Sequence, residues 1–146
     1  VIQIVYNLFE QQPAAEALPL ALESGVAVMG RLVFDEGSLT GKLTPETKFP
    51  DGDFRSRYFG GDRLPRTVAR VEKIQADLAG SGFTMPQAAI KFALAHPAMS
   101  TVIPGMRNVA QVEANTNVSE MPGLSGELLG KLQKHIWLRG NWHTGK

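Results

Sequence analysis

The residues best suited to chemistry lie between Ser100 and Asn115, where Thr101-Val102-Ile103 is followed by Pro104-Gly105, Arg107 and Asn108. Asn108, with Gln111 three positions on, reads as a helix N-cap, a variant of the capping box. The first amides of a helix have no partner within it and sit at the positive end of its dipole. With Arg107 beside them they suit an anion, and the expected ligand is the phosphate of a nucleotide cofactor. An ordinary strand–turn–helix corner with a solvated arginine uses the same residues. Thr101, Val102 and Ile103 are β-branched and uncharged, which suits a strand covered on both faces. Pro104 ends the ladder, and Gly105 frees the backbone to turn.

Gly37-Ser38-Leu39-Thr40-Gly41-Lys42 invites a comparison with the P-loop. That motif needs four residues between its glycines and Ser or Thr after the lysine. Here three residues intervene and Leu43 follows Lys42. A plain glycine-rich loop fits better, with amides able to lie across a pyrophosphate. Gln3, in an apolar run, suits either a ligand amide or a neighbouring loop. Tyr6 suits either a planar ligand ring or the core. Asp53 and Arg55 are expected to tie their loop down locally. His96 precedes Pro97 and reads as a helix end, while His135 and His143 read as surface or tail residues. The three histidines lie far apart, and no paired carboxylates, nucleophile elbow or metal-ligand cluster stands out.

These residues need a frame, and the order of the chain supplies one. Strands are expected at Val1–Tyr6, at Val26–Met29 or on through Val33, and at Ser100–Ile103. Pro13–Ser24 reads as a helix with Ala14, Ala17, Leu18, Ala21 and Leu22 on one face and Pro19 bending it. An irregular stretch from Phe34 to Arg63 follows, long enough to be functional. Next come helices at about Pro65–Ala79, with Leu64, Val68, Val71, Ile74 and Leu78 as its stripe, and Met85–Ala95, with Thr84 and Gln87 as a capping box. Helices from Asn108 to about Asn117 and from Ser125 to about Trp137 complete the order, the last with Leu128, Leu129, Leu132 and Ile136 inward. The tail from Arg139 is expected to be loose or docked by Trp142. This βα alternation predicts an α/β fold with a parallel sheet. Right-handed crossovers would gather Tyr6-Asn7, Arg31 and Pro104–Asn108 on one rim.

The totals narrow the function. The chain has 146 residues, enough for one domain spanning 1–146, and a net charge of +1. No basic stripe invites nucleic acid, and no apolar run approaches a membrane span. There are no cysteines, which fits a reducing, cytoplasmic setting. Val1 opens the sequence without an initiator methionine, inside what reads as a core strand. The chain is therefore expected to be a piece of a longer protein, with a processed natural protein as the alternative.

Four blocks run in order over nearly the whole chain: Gln3-Ile4-Val5-Tyr6-Asn7, Gly37 to Lys42, Asp53-Phe54-Arg55, and Ser100 to Gly105 continuing through Gln111-Val112 to Asn115. Together they resemble the C-terminal portion of the aldo-keto reductase family. The resemblance implies part of a (β/α)8 TIM barrel, with these strands as the sixth, seventh and eighth. It implies an oxidoreductase that uses NADP(H), or sometimes NAD(H), on small carbonyl substrates. Gln3 would bond the nicotinamide carboxamide. The loop carrying Phe34, Gly37, Leu39, Gly41 and Lys42 would cover the pyrophosphate. Gly105, Met106, Arg107, Gln111 and Asn115 would hold the adenosine and its 2′-phosphate. Arg31 stands where many members carry an aromatic ring over the nicotinamide, and an arginine could pair with phosphate instead. Ala114 stands where an acid near adenine is common. The family's catalytic Asp, Tyr, Lys and His would precede Val1, so no catalytic residue is assigned here. A whole barrel takes about 250 residues. The chain alone is therefore expected to be inactive, and to associate with itself or with the missing N-terminal half. A non-catalytic half-barrel that binds a nucleotide or a partner is the alternative.

Overall fold

The computed structural model describes residues 1–138. Strands β1 (Ile2–Val5), β2 (Val28–Arg31) and β3 (Met99–Val102) form one parallel sheet in that order. The connections carry α1 (Ala17–Glu23) after β1, then α2 (Phe54–Tyr58), α3 (Arg63–Asp77) and α4 (Met85–Leu94) after β2. Helices α5 (Val109–Thr116) and α6 (Gly126–Gln133) follow β3.

The long helices form where the apolar spacing places them. Leu64, Val68, Val71, Ile74 and Leu78 are all buried along α3. Thr84 and Gln87 close the capping box of α4, which buries Ala88, Ala89, Phe92 and Ala93. The first predicted helix is shorter than its pattern. Residues Gln12–Ala14 form a 3-10 turn, and α1 begins only at Ala17. Pro19 thus falls in the first turn, where no intrahelical amide bond is lost, so it starts a helix rather than bending one. Leu22 is 50% exposed, off the buried face. Strand β2 starts two residues after Val26 and runs past Met29, within the longer Val26–Val33 alternative. Helix α6 stops at Gln133, which leaves Ile136 41% exposed instead of on the core face. His135 is no surface residue: its Nε2 lies 2.7 Å from Asp77 Oδ2 at the end of α3, and its side chain is 14% exposed. The expectations for Trp142, His143 and the tail lie outside the described residues.

One face of the sheet carries the core. Val28, Gly30 and Met99 are buried against the helices, with Leu18, Leu39, Ile74, Phe92 and Leu132 fully or almost fully enclosed around them. The other face is bare: Gln3, Arg31, Thr101 and Ile103 are all exposed. This corrects the expectation that Thr101 to Ile103 is covered on both faces. Side chains alternate along a strand, so a layer of helices on one side leaves every second residue uncovered. Tyr6 belongs to the core, 5% exposed, with its ring 5.8 Å from Phe92 and 6.0 Å from His96. His96 does mark a helix end, where its Nδ1 accepts from the Ala98 amide at 3.2 Å.

Deleting the Phe92 ring should cost about 3 to 5 kcal/mol, as transfer and cavity terms add at a fully enclosed aromatic. Val109, 72% exposed, should tolerate alanine to within about 0.5 kcal/mol. Urea unfolding of Phe92→Ala and Val109→Ala measures both.

Candidate functional site

The C-terminal ends of β2 and β3 open onto a cleft of about 750 Å³. Three pieces of backbone wall it. The segment after β2 contributes Arg31, Phe34, Glu36, Gly37 and Lys42. The start of α2 contributes Asp53, Phe54 and Arg55. The turn after β3 contributes Ile103, Gly105, Met106, Arg107 and Gln111. Parallel strands direct their connections to one rim, which is where α/β folds bind ligands.

The first wall is strained. Leu32, Asp35 and Glu36 have φ of +54°, +45° and +56°, a region that L residues avoid, and Gly37 follows at +96°. Each such residue costs on the order of 1 kcal/mol or more and persists only where its surroundings hold it. Asp35 supplies the hold. Its carboxylate is buried, and it accepts from Ser38 Oγ at 2.8 Å and from the Tyr58 hydroxyl at 2.7 Å. Asn7, fully buried after β1, donates to the Leu32 carbonyl at 2.8 Å while its Oδ1 accepts from the Phe9 and Glu10 amides at 2.9 Å. Gly41 holds a φ of +73°, which favours glycine, while the atom that a Cβ there would crowd, Gln75 Nε2, is the movable tip of an exposed side chain.

Asp53 caps α2 through the Arg55 amide at 2.9 Å and grips the Arg55 guanidinium at 2.7 Å. Its carboxyl is held down at about 2, chiefly by the Arg55 guanidinium and amide, with the Arg107 charge as a smaller contribution. Arg55 also lies 4.9 Å over the Phe49 ring. The expected local tie is therefore present, and it forms part of the cleft wall.

The start of α5 differs from the expected row of open amides. Asn108 Oδ1 accepts from the Gln111 amide at 2.9 Å, and Gln111 Oε1 accepts from the Arg107 amide at 2.7 Å. The glutamine thus reaches one residue further back than in a standard capping box. Among the described residues, the Asn108, Val109 and Ala110 amides of this turn keep no acceptor, and none of these three residues lines the cleft. The anion-attracting groups of the cleft are side chains instead: Arg31, Lys42, Arg55 and Arg107.

Of the residues singled out in the sequence, Arg31, Phe34, Gly37, Lys42, Gly105, Arg107 and Gln111 meet at the cleft, together with Met106. Gln3 does not line it. It sits on the bare face of β1, paired with Met29, two positions before Arg31. Leu39 is fully buried in the core, Gly41 packs against Gln75 and Met85, and half-buried Asn115 lies outside the lining. Sequence reasoning missed Asp35, Glu36 and Tyr58, and placed Asn7 on the rim without its tie to Leu32. For Asp35 and Ser38 the Asp-x-x-Ser spacing was a signal, because such side chains bond across a turn. Tyr58, 23 residues from its partner, left none.

The sequence profile of the aldo/keto reductase family matches residues 1–136. The chain belongs to the aldo/keto reductase family. It is 26% identical over 136 residues to an uncharacterised oxidoreductase of Bacillus subtilis, covering 92% of this chain and 42% of that relative. It is 28% identical over 110 residues to the pyridoxal 4-dehydrogenase of Microbacterium luteolum, covering 75% and 30%. Among solved structures it superposes on an aldo-keto reductase of Bacillus halodurans, known in apo and holo forms, with a TM-score of 0.70 and 25% identity over 92% of this chain and 42% of that one. The glycerol dehydrogenase of Gluconobacter oxydans shares the fold, with a TM-score of 0.80 and 23% identity over 92% and 41%. The chain therefore spans about two fifths of the length of these two structures. Among the described residues, no helix is long and apolar enough to cross a membrane.

The Asp53–Arg55 grip has a pH signature. A carboxyl with a depressed folded-state pKa contributes stability above its unfolded value and loses it as pH falls through its folded value. The start of α2 should therefore loosen between the ordinary aspartate value of 3.8 and about 2. NMR titration should place Asp53 near the lower figure, and Arg55→Ala, which removes the guanidinium but keeps the amide bond, should raise it part of the way toward the ordinary value. An Asp53 that titrates normally in the unaltered protein would contradict the assignment.

Proposed function

We propose that this chain is the cofactor-holding, C-terminal part of an NAD(P)H-dependent aldo-keto reductase acting on small carbonyl compounds in the cytoplasm. Its three strands correspond to the sixth, seventh and eighth of a (β/α)8 barrel. The observation that carries the reading is the convergence of Arg31, Lys42, Arg55 and Arg107 on one cleft at the C-terminal rim of a parallel sheet. The donor set fits a dinucleotide phosphate: guanidinium groups bind phosphate oxygens in pairs, and a lysine adds a point charge. Barrel folds place phosphate beside the loops that follow their last strands.

In this reading Arg107 holds the adenosine end, with NADP(H) preferred over NAD(H) for its additional phosphate. Lys42 and Arg31 neutralise the diphosphate, and the Phe34–Lys42 loop lies over it. Gln3, exposed on the bare face, bonds the carboxamide once the rest of the barrel encloses it. The bound cofactor supplies the hydride. The groups that protonate the substrate belong to the part preceding Val1, so the chain alone turns nothing over. The bare face of Gln3, Arg31, Thr101 and Ile103 is where that part, or a second copy, covers the sheet. Edge strands β1 and β3 add to the tendency to associate.

Calorimetry with NADPH and NADH tests the proposal. Arg107→Ala should weaken NADPH binding about 10- to 100-fold, the range expected for one lost charge-assisted contact, and should weaken NADH binding less. A well-folded chain that binds neither would favour a non-catalytic scaffold or partner-binding half-barrel. A separate check is sedimentation: the chain should run larger than a monomer until the missing half is added.

A further inference from the structure

The cleft contains an acid that its architecture leaves unused. Asp53 is taken by Arg55, and Asp35 behind it by Ser38 and Tyr58. Glu36 lines the same cleft, half-buried, with no hydrogen bond or ion pair among the described residues. The charges that reach it are Arg55 and Arg31, both attractive, and Asp35 and Asp53, both repulsive. Its backbone is held at φ +56° by the clamp on Asp35, and Gly37 beside it faces open space. The strained turn thus presents a carboxylate to two arginines of the cleft without letting it settle into a salt bridge with either.

A free carboxylate among cations lowers the positive potential that an incoming anion meets. We infer that Glu36 is a built-in competitor, whose carboxylate offsets in the free protein the field of Arg31 that a dinucleotide's diphosphate takes over on binding, so that this residue sets the affinity of the cleft. The inference rests on the cofactor reading and assigns to that site a residue that weakens it.

Protonation should silence the competitor. Burial, and then the neighbouring Asp35, raise the pKa of Glu36 above its ordinary 4.5. A bound diphosphate raises it further, so binding takes up a proton and affinity falls as pH rises through this region. Among the charges facing Glu36, Asp53 titrates at about 2, below the range of the test, and its hydrogen bond to Arg55 raises that guanidinium's pKa further.

The probe is NAD⁺, which carries a diphosphate and no phosphomonoester, so its own charge stays constant from pH 5 to 8. Calorimetry should find that wild-type affinity rises as pH falls from 8 to 5. Glu36→Gln should bind about tenfold more tightly than wild type at pH 8, a factor that one removed charge in a cleft readily supplies, and should lose the pH dependence. Glu36→Gly, which removes the charge and suits the positive φ, should bind as tightly as Glu36→Gln. Unchanged affinity in both variants overturns the inference and leaves the cofactor reading standing. Weaker binding in Glu36→Gln also overturns it, because the carboxylate would then be a ligand for a hydroxyl or amide. If neither wild type nor variant binds NAD⁺ or NADPH, the cofactor reading fails and takes the inference with it.

Discussion

A buried carboxylate gives the cleft its shape. Asp35 sits out of water and is satisfied by a serine hydroxyl three residues on and by a tyrosine hydroxyl from α2. An unsatisfied buried acid would cost far more than these bonds return, so the chain must fold to supply both donors. In doing so it brings α2 against the turn after β2 and holds consecutive residues in a left-handed conformation. The strained turn and the arginine-bearing corner thus form one unit, and Arg55, Glu36 and Lys42 face the same space as a consequence. Tyr58 has a second partner in Arg63, whose guanidinium lies 4.3 Å from the ring centroid.

The sheet fixes the other boundary. Its parallel register sets Val5 beside Arg31, and Asn7 then ties the end of the first strand to the Leu32 carbonyl beyond the second. The rim is thus stitched across strands by a side chain as well as by the ladder. Because the helices lie on one side only, the same strands that position the cleft present a row of uncovered side chains to the other side. A barrel interior would lie there.

Much of the frame could be read from residue spacing. The stripes of α3 and α4, the Thr84–Gln87 box and the Asn108 and Ser125 caps are local patterns, and local patterns survive folding. The positions that escaped depend on distant partners. Nothing near Ile136 announces that α6 ends before it, and nothing near His135 announces Asp77. The cleft was legible as a set of blocks in order, since Arg31, Lys42, Gly105 and Arg107 stand beside strand ends whose direction the βα alternation dictates. Its electrostatics were less so. The amides expected to be open at α5 are partly closed by Asn108 and Gln111, a choice between self-capping and ligand binding that composition leaves undecided. Asp35 and Glu36 are neighbours in sequence, yet one is a buried clamp and the other an unpaired charge in the cleft.

In the third strand, Met99 pairs with Val28 but Thr101 pairs with Met29, so Ser100 is one residue in excess, with its hydroxyl accepting from the Val28 amide at 3.2 Å. Such a bulge reverses the alternation downstream. Counted from Met99 without it, Thr101 and Ile103 would point toward the helices and Val102 away. With it, the valine goes inward and the approach to Gly105 and Arg107 is phased toward the open side. A frame one residue shorter would exchange the two faces and carry the loop's arginine round with them.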